Sequence, residues 1–103
     1  MHRNCNIMQI QLQAKNPICM LDNLRNKIDK IDKKLTELLI KRHGLVKKIA
    51  YLKHKNDIPI EDKKREKSSI NTLVSSPDLT LSERRYIKNI LSSIHDASKN
   101  IQK

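Results

Sequence analysis

From Leu21 to Leu52 the apolar residues recur in steps of three and four: Leu21, Leu24, Ile28, Ile31, Leu35 and Leu38, then Leu45, Ile49 and Leu52. This spacing keeps one stripe of an α-helix apolar and makes the seam of a helix packed against another. A strand cannot use it, because strand side chains alternate with period two. The spacing predicts a helix from Leu21 to about Lys55, with Asp22 as N-cap or first-turn acid. Asn56-Asp57-Ile58-Pro59 ends it, since the residue before a proline disfavours helical geometry. Gly44 lies inside the pattern and costs about 1 kcal/mol relative to Ala without breaking the period.

Such a helix holds about 34 residues and is roughly 50 Å long. The whole chain has 103 residues, and a compact domain of that size has a radius of gyration near roughly 13 Å. The residues left over cannot cover the seam along its length. The natural cover is a second copy, with the long helices paired across a two-fold axis.

Two further helices are expected after Pro59. One runs from near Glu61 to about Ser75, ahead of the break at Ser76-Pro77-Asp78. The other starts at Ser82, read as its N-cap, and carries Tyr86, Ile87, Ile90, Leu91, Ile94 and Ile101 on one face. The predicted fold is therefore all-α, with three helices per chain, one of them very long, in an intertwined homodimeric bundle. One Gly, three Pro, two Tyr and neither Phe nor Trp fit an aliphatic helical core and not a turn-rich β protein. Residues 1–20 read differently. The alternation Gln9-Ile10-Gln11-Leu12-Gln13 is too short for a strand, and this stretch is taken as a mobile arm ahead of a domain at 21–103.

The net charge is +11. That excess suits nucleic acid, an acidic membrane surface or a small anionic ligand, and it also fits plain compositional drift. No apolar run is long enough to span a membrane, and the N-terminus has no apolar signal core, so a cytoplasmic protein is expected. Cys5 and Cys19 both fall outside the predicted helices and do not make a disulfide framework. With His2 they fall short of the four closely spaced ligands that a zinc site usually needs, so no metal is expected.

More is learned where the stripes are broken. The seam position after Leu38 is Arg42, and Lys53 lies eleven residues on, close to three helical turns, so Arg42, Val46, Ile49 and Lys53 share a face. A cation there either snorkels to water or stays inside and needs an anion. In the second helix Asp62, Arg65, Glu66 and Ser69 form a polar stripe where an apolar one is expected. It is either an exposed face laced with ion pairs or the wall of a polar site. In the third, Ser98 and Gln102 follow Ile94 at intervals of four. Three such breaks in three helices suggest one polar pocket inside a helical bundle.

The inventory limits the chemistry. No His stands at a recognisable spacing from a nucleophile, and there is no glycine-rich phosphate loop. What remains is fixed positive charge and hydrogen-bond donors. These suit a dianionic ligand and a reaction that needs only orientation and electrostatic stabilisation.

From Leu21 to Gln102 the chain resembles the all-helical chorismate mutases, and in particular the mutase domain of the bifunctional mutase–prephenate dehydratases. The resemblance is carried by Leu24-Arg25-Asn26-Lys27-Ile28-Asp29, Leu38-Leu39-Ile40-Lys41-Arg42, Lys53, Pro59 through Glu66, and Ser98 with Gln102. It implies conversion of chorismate to prephenate in phenylalanine and tyrosine biosynthesis, without a cofactor, in a homodimer with shared sites. It further implies that Arg42 holds a substrate carboxylate with Arg25 from the other subunit. Lys53 and Gln102 would hydrogen-bond the ether oxygen. Glu66 would accept from the ring hydroxyl near Asp62, and Arg65 and Ser98 would fix the ring carboxylate. Two alternatives are an isochorismate–pyruvate lyase on the same scaffold and a basic helical nucleic-acid binder. The full set Asp62, Arg65, Glu66, Ser98 and Gln102 favours the mutase over the lyase. Scarce aromatics and ungathered basic residues count against nucleic acid.

Overall fold

The computed structural model describes residues 16–103, and every element in them is a helix: α1 (Pro17–Lys55), α2 (Lys63–Leu73) and α3 (Leu81–Gln102). Most of the expected N-terminal arm, with Cys5, His2 and the alternation at 9–13, lies outside the described residues. The chain forms two compact units, one up to Lys41 and one from Arg42 to Lys103. No described helix is long and apolar enough to cross a membrane.

α1 has 39 residues, so it is about 58 Å long. It begins four residues before the Leu21 predicted from periodicity. Pro17 opens it, because a proline in the first helical position forgoes only an N–H that would be unsatisfied anyway. Asn16 precedes it and caps it: its Oδ1 accepts from the Ile18 N–H at 2.9 Å, and its carbonyl from the Met20 N–H at 3.0 Å. Asp22 is therefore interior and not a cap. Cys19 also lies within α1, where it is buried and disulfide-bonded, so the placing of both thiols outside the helices fails for Cys19.

The far end of α1 is where the sequence puts it. Lys53, His54 and Lys55 occupy the last turn and complement the helix dipole. Asp57 then takes φ 56°, the left-handed conformation that Asp tolerates better than most residues. This turns the chain so that the Ile58 N–H reaches the Lys53 carbonyl at 2.9 Å, closing the helix end. Midway along, a methyl added at Gly44 would meet nothing within 4 Å.

α2 is shorter than its predicted span at both ends. Asp62 is its N-cap, with Oδ1 accepting from the Arg65 N–H at 3.0 Å, so the helix starts after Asp62 and not at Glu61. α3 is capped by Thr80 and not by Ser82. Thr80 Oγ1 accepts from the Glu83 N–H at 3.1 Å, and Glu83 Oε1 accepts from the Thr80 N–H at 2.9 Å. This reciprocal box satisfies two backbone donors, and Ser82 with the Glu three residues beyond it absent offers no equivalent. The Thr80 backbone N–H, then its hydroxyl, hold the Glu83 carboxyl below the ordinary carboxylate range.

Within the unit from Arg42 to Lys103, α2 packs on α3, and the last turns of α1 meet α3. Val46 and Val74 are the buried apolar residues there, and no described side chain is completely buried. The stripe that specifies α1 stays open: Leu24, Ile28, Ile31, Leu35 and Leu38 run from 46% exposed at Leu35 to 64% at Ile31.

Candidate active site

α1, α2 and α3 enclose a cleft of about 290 Å³ inside the second unit. α1 presents Arg42, Val46, Ile49 and Lys53, one face of a helix whose polar members stand three turns apart. α2 presents its N-terminal end, with Asp62, Arg65 and Glu66 in the first turn and a half. α3 presents Ser98 and Gln102, one turn apart. Seven of the residues singled out in the sequence (Arg42, Lys53, Asp62, Arg65, Glu66, Ser98 and Gln102) thus line one cleft. Arg25 belongs to α1 in the other unit.

The hydrogen bonds show how the polar groups are held. The Arg42 Nη1 group donates to Ser98 Oγ, and Ser98 Oγ donates to the Ile94 carbonyl at 2.8 Å. Arg42 is half-buried, so the choice between snorkelling and an inward cation falls toward the cleft. Lys53 Nζ donates to the Ile60 carbonyl at 2.7 Å, which draws the segment after α1 over the end of the cleft. Gln102 and Ser98 are buried, at 7% exposure each. Gln102 Nε2 donates to the Ser98 carbonyl at 3.2 Å, while its Oε1 is buried with no partner. An unmet buried acceptor costs about 1–3 kcal/mol, a deficit that a bound donor would relieve. His54 Nε2 lies 2.9 Å from the Gln102 carbonyl and ties the last turn of α1 to the last turn of α3.

Two cleft residues escaped the sequence reading: His95 and Lys99. Both carry a usable signal. Stepping back from Gln102 by three gives Lys99, and stepping back from Ser98 by three gives His95, so both share the face of α3 already marked by Ser98 and Gln102. Four cations (Arg42, Lys53, Arg65 and Lys99) then face two carboxylates (Asp62 and Glu66). His95 feels this excess. Burial first, then the Arg42 charge, with Arg65 and Lys99 adding and Glu66 opposing, hold its imidazole below the ordinary range. Lys99 lies 3.4 Å from Glu61 Oε1, 3.5 Å from Glu66 Oε2 and 3.5 Å from Asp96 Oδ1. Burial works against its charge, but Glu66 and then Glu61 and Asp96 outweigh it and raise the ammonium above its ordinary range.

A cleft with surplus positive charge, buried donors and no nucleophile–base pair is built to bind and orient an anion. Comparison with known proteins agrees in kind. The chorismate mutase type II family matches residues 24–103, a span that includes Arg25 and the whole cleft. A bifunctional chorismate mutase/prephenate dehydratase of Buchnera aphidicola subsp. Baizongia pistaciae is 35% identical over 79 residues, 77% of this chain and 21% of that protein. One from Buchnera aphidicola subsp. Schizaphis graminum is 36% identical over 81 residues, 79% of this chain and 21% of that protein. A chorismate mutase of Methanocaldococcus jannaschii is 45% identical over 47 residues, 46% of this chain and 48% of that protein. The matches thus span 21% of the two bifunctional relatives and about half of the third. No solved structure matches the chain.

Proposed function

The chain belongs to the chorismate mutase type II family, and from that premise we propose that its cleft binds chorismate and rearranges it to prephenate. The observation that supports this most is the meeting of Arg42, Lys53, Arg65, Glu66, Ser98 and Gln102 around one cleft where cations outnumber carboxylates. Chorismate carries two carboxylates, a ring hydroxyl and an enol ether. In the rearrangement the ether carbon–oxygen bond breaks as a carbon–carbon bond forms within the same molecule. No proton has to move and no covalent intermediate is needed, so groups that orient and stabilise suffice.

Each role follows from a group already described. Arg42 has five N–H donors and uses one on Ser98, which leaves a planar fork for a carboxylate. Arg65 and Ser98 take the ring carboxylate. Lys53 has three hydrogens and spends one on Ile60, so the ammonium is aimed while the others serve the ether oxygen. Gln102 spends one Nε2 hydrogen on the Ser98 carbonyl and offers the other to the same oxygen. Negative charge grows on that oxygen in the transition state, so Lys53 and Gln102 bind the transition state better than the substrate. Glu66 accepts from the ring hydroxyl, with Asp62 beside it at the start of α2.

The active species is a homodimer. The exposed stripe Leu24–Ile28–Ile31–Leu35–Leu38 supports this, because apolar surface is worth about 25 cal/mol per Å² removed from water. In the dimer Arg25 of one chain joins Arg42 of the other at the substrate carboxylate. The product would serve phenylalanine and tyrosine biosynthesis. The test is loss of chorismate absorbance on addition of the purified protein, with no metal or cofactor added and prephenate as the product. A well-folded protein that leaves chorismate intact would sink the proposal.

A further inference from the structure

Lys99 has no part in the reaction as described, yet it lines the cleft and stands among three carboxylates, one from α3, one from α2 and one from the segment before α2. Asp96 is on its own helix, one turn back. Glu61 precedes α2 and Glu66 lies in the first turn of α2. Its side chain is 21% exposed, the same as that of Glu66. Lys99 therefore joins the start of α2 to the middle of the last two turns of α3 at the edge of the site.

We propose that Lys99 is a positioning residue for Glu66: it holds Oε2 of that carboxylate and so fixes the other oxygen for the substrate hydroxyl. The proposal rests on the mutase reading above. A Glu side chain has three rotatable bonds, and a lone carboxylate in the first turn of a short helix would swing among rotamers. Among the described residues it is Lys99 that holds the Glu66 carboxylate in an ion pair. Nearby cations on other elements, Arg42 on α1 and Arg65 on α2, stand ready for substrate carboxylates and would draw Glu66 to themselves in an empty site. That would cancel both their charge and its own. A cation placed on the opposite helix keeps Glu66 apart from them. Glu61 and Asp96 have the complementary task of anchoring the Lys99 ammonium, so that it stays beside Glu66 and does not move onto a substrate carboxylate. The ammonium is accordingly raised above its ordinary range, by Glu66 foremost among the favourable contacts.

The experiment is a double-mutant cycle on the full chain with chorismate turnover as readout. Lys99→Met should lower kcat/KM about fivefold to tenfold, the worth of one oriented hydrogen bond, and more through kcat than through KM. Lys99→Arg should recover most of that loss, because the charge stays on α3. In a Glu66→Gln background, Lys99→Met should change kcat/KM by less than about twofold. An equal loss in both backgrounds, or none in either, overturns the proposal. The pairing is also read without turnover, from the titration of the Lys99 ammonium by NMR. Its midpoint should fall in Glu66→Gln, and an unchanged midpoint overturns the proposal as well. A wild-type protein that does not consume chorismate would instead overturn the mutase reading, and the titration would still decide whether Lys99 and Glu66 act as a pair.

Discussion

Replacing Lys53 with methionine removes one ammonium and keeps an unbranched apolar stem of similar length. Two separate losses follow. The Ile60 carbonyl loses the 2.7 Å bond from Nζ. One such bond contributes about 1 kcal/mol to stability, which moves the midpoint of a domain this size by about 4–8 °C. The second loss falls on the reaction. Lys53 is the charged member of the two donors assigned to the ether oxygen. Removing one preorganised donor to a developing oxyanion typically lowers kcat by about 10²–10³, equivalent to roughly 2.7–4 kcal/mol. The kinetic loss should therefore far exceed the stability loss, with the protein still folded at 25 °C. The measurement pairs steady-state loss of chorismate absorbance with thermal melts by circular dichroism. KM should change by less than about tenfold, since much of the ground-state binding stays with the arginines. A folded Lys53→Met protein with kcat within about tenfold of the wild type would refute the assignment of Lys53 to the transition state.

Other outcomes follow from the same geometry. Mixing Arg25→Ala with Arg42→Ala, each nearly inactive alone, should restore on the order of a quarter of wild-type activity, because half of the mixed dimers are hybrid and each hybrid has one intact site; no recovery means that Arg25 acts within its own chain. Thr80→Ala should destabilise the protein by about 1 kcal/mol in denaturant titrations, through loss of the α3 cap. The Glu83 carboxyl is depressed in the folded chain, so its stabilisation is present above its unfolded value and disappears as pH falls through the folded one. Glu83→Gln should then lower the melting midpoint at pH 7, by an amount that shrinks as pH falls into the acid range. His95 is also depressed, but as a base: protonating it works against folding, so stability should fall as pH drops below about 6.5 toward the folded value. His95→Leu should flatten that part of the melting profile, and an unaltered slope would show that other groups dominate it.

The reach of sequence reading differed from residue to residue, for physical reasons. Periodicity found α1 and its end at Lys55, because the apolar stripe and Asn56-Asp57-Ile58-Pro59 are strong local signals. It missed the start, because the apolar stripe begins at Leu21, whereas the opener is a local signal, Pro17 after Asn16. The same rule of local chemistry decides α3: Ser82 has the right side chain for a cap, but Thr80 has both the side chain and the reciprocal Glu83. In the cleft, the residues that violated an apolar stripe could be read, since a cation or amide at a seam position stands out. His95 and Lys99 did not violate anything. They sit at the edge of the stripe, where polar residues are ordinary, and it is the packing of α1 and α2 against α3 that gives them most of their charged neighbours. The Lys99 ion pairs join residues 38 and 33 positions apart, and no spacing rule within one helix reports them.

The open stripe on α1 has a thermodynamic consequence. A chain in which no described side chain is completely buried has little interior of its own to lose on melting. If its long helix is completed by a second copy, folding and association are one equilibrium, and the free energy belongs to two chains at a stated concentration. Dilution then acts as a denaturant. The melting midpoint should climb with protein concentration, and any stability quoted for a substitution in this chain carries the concentration at which it was measured as part of its value.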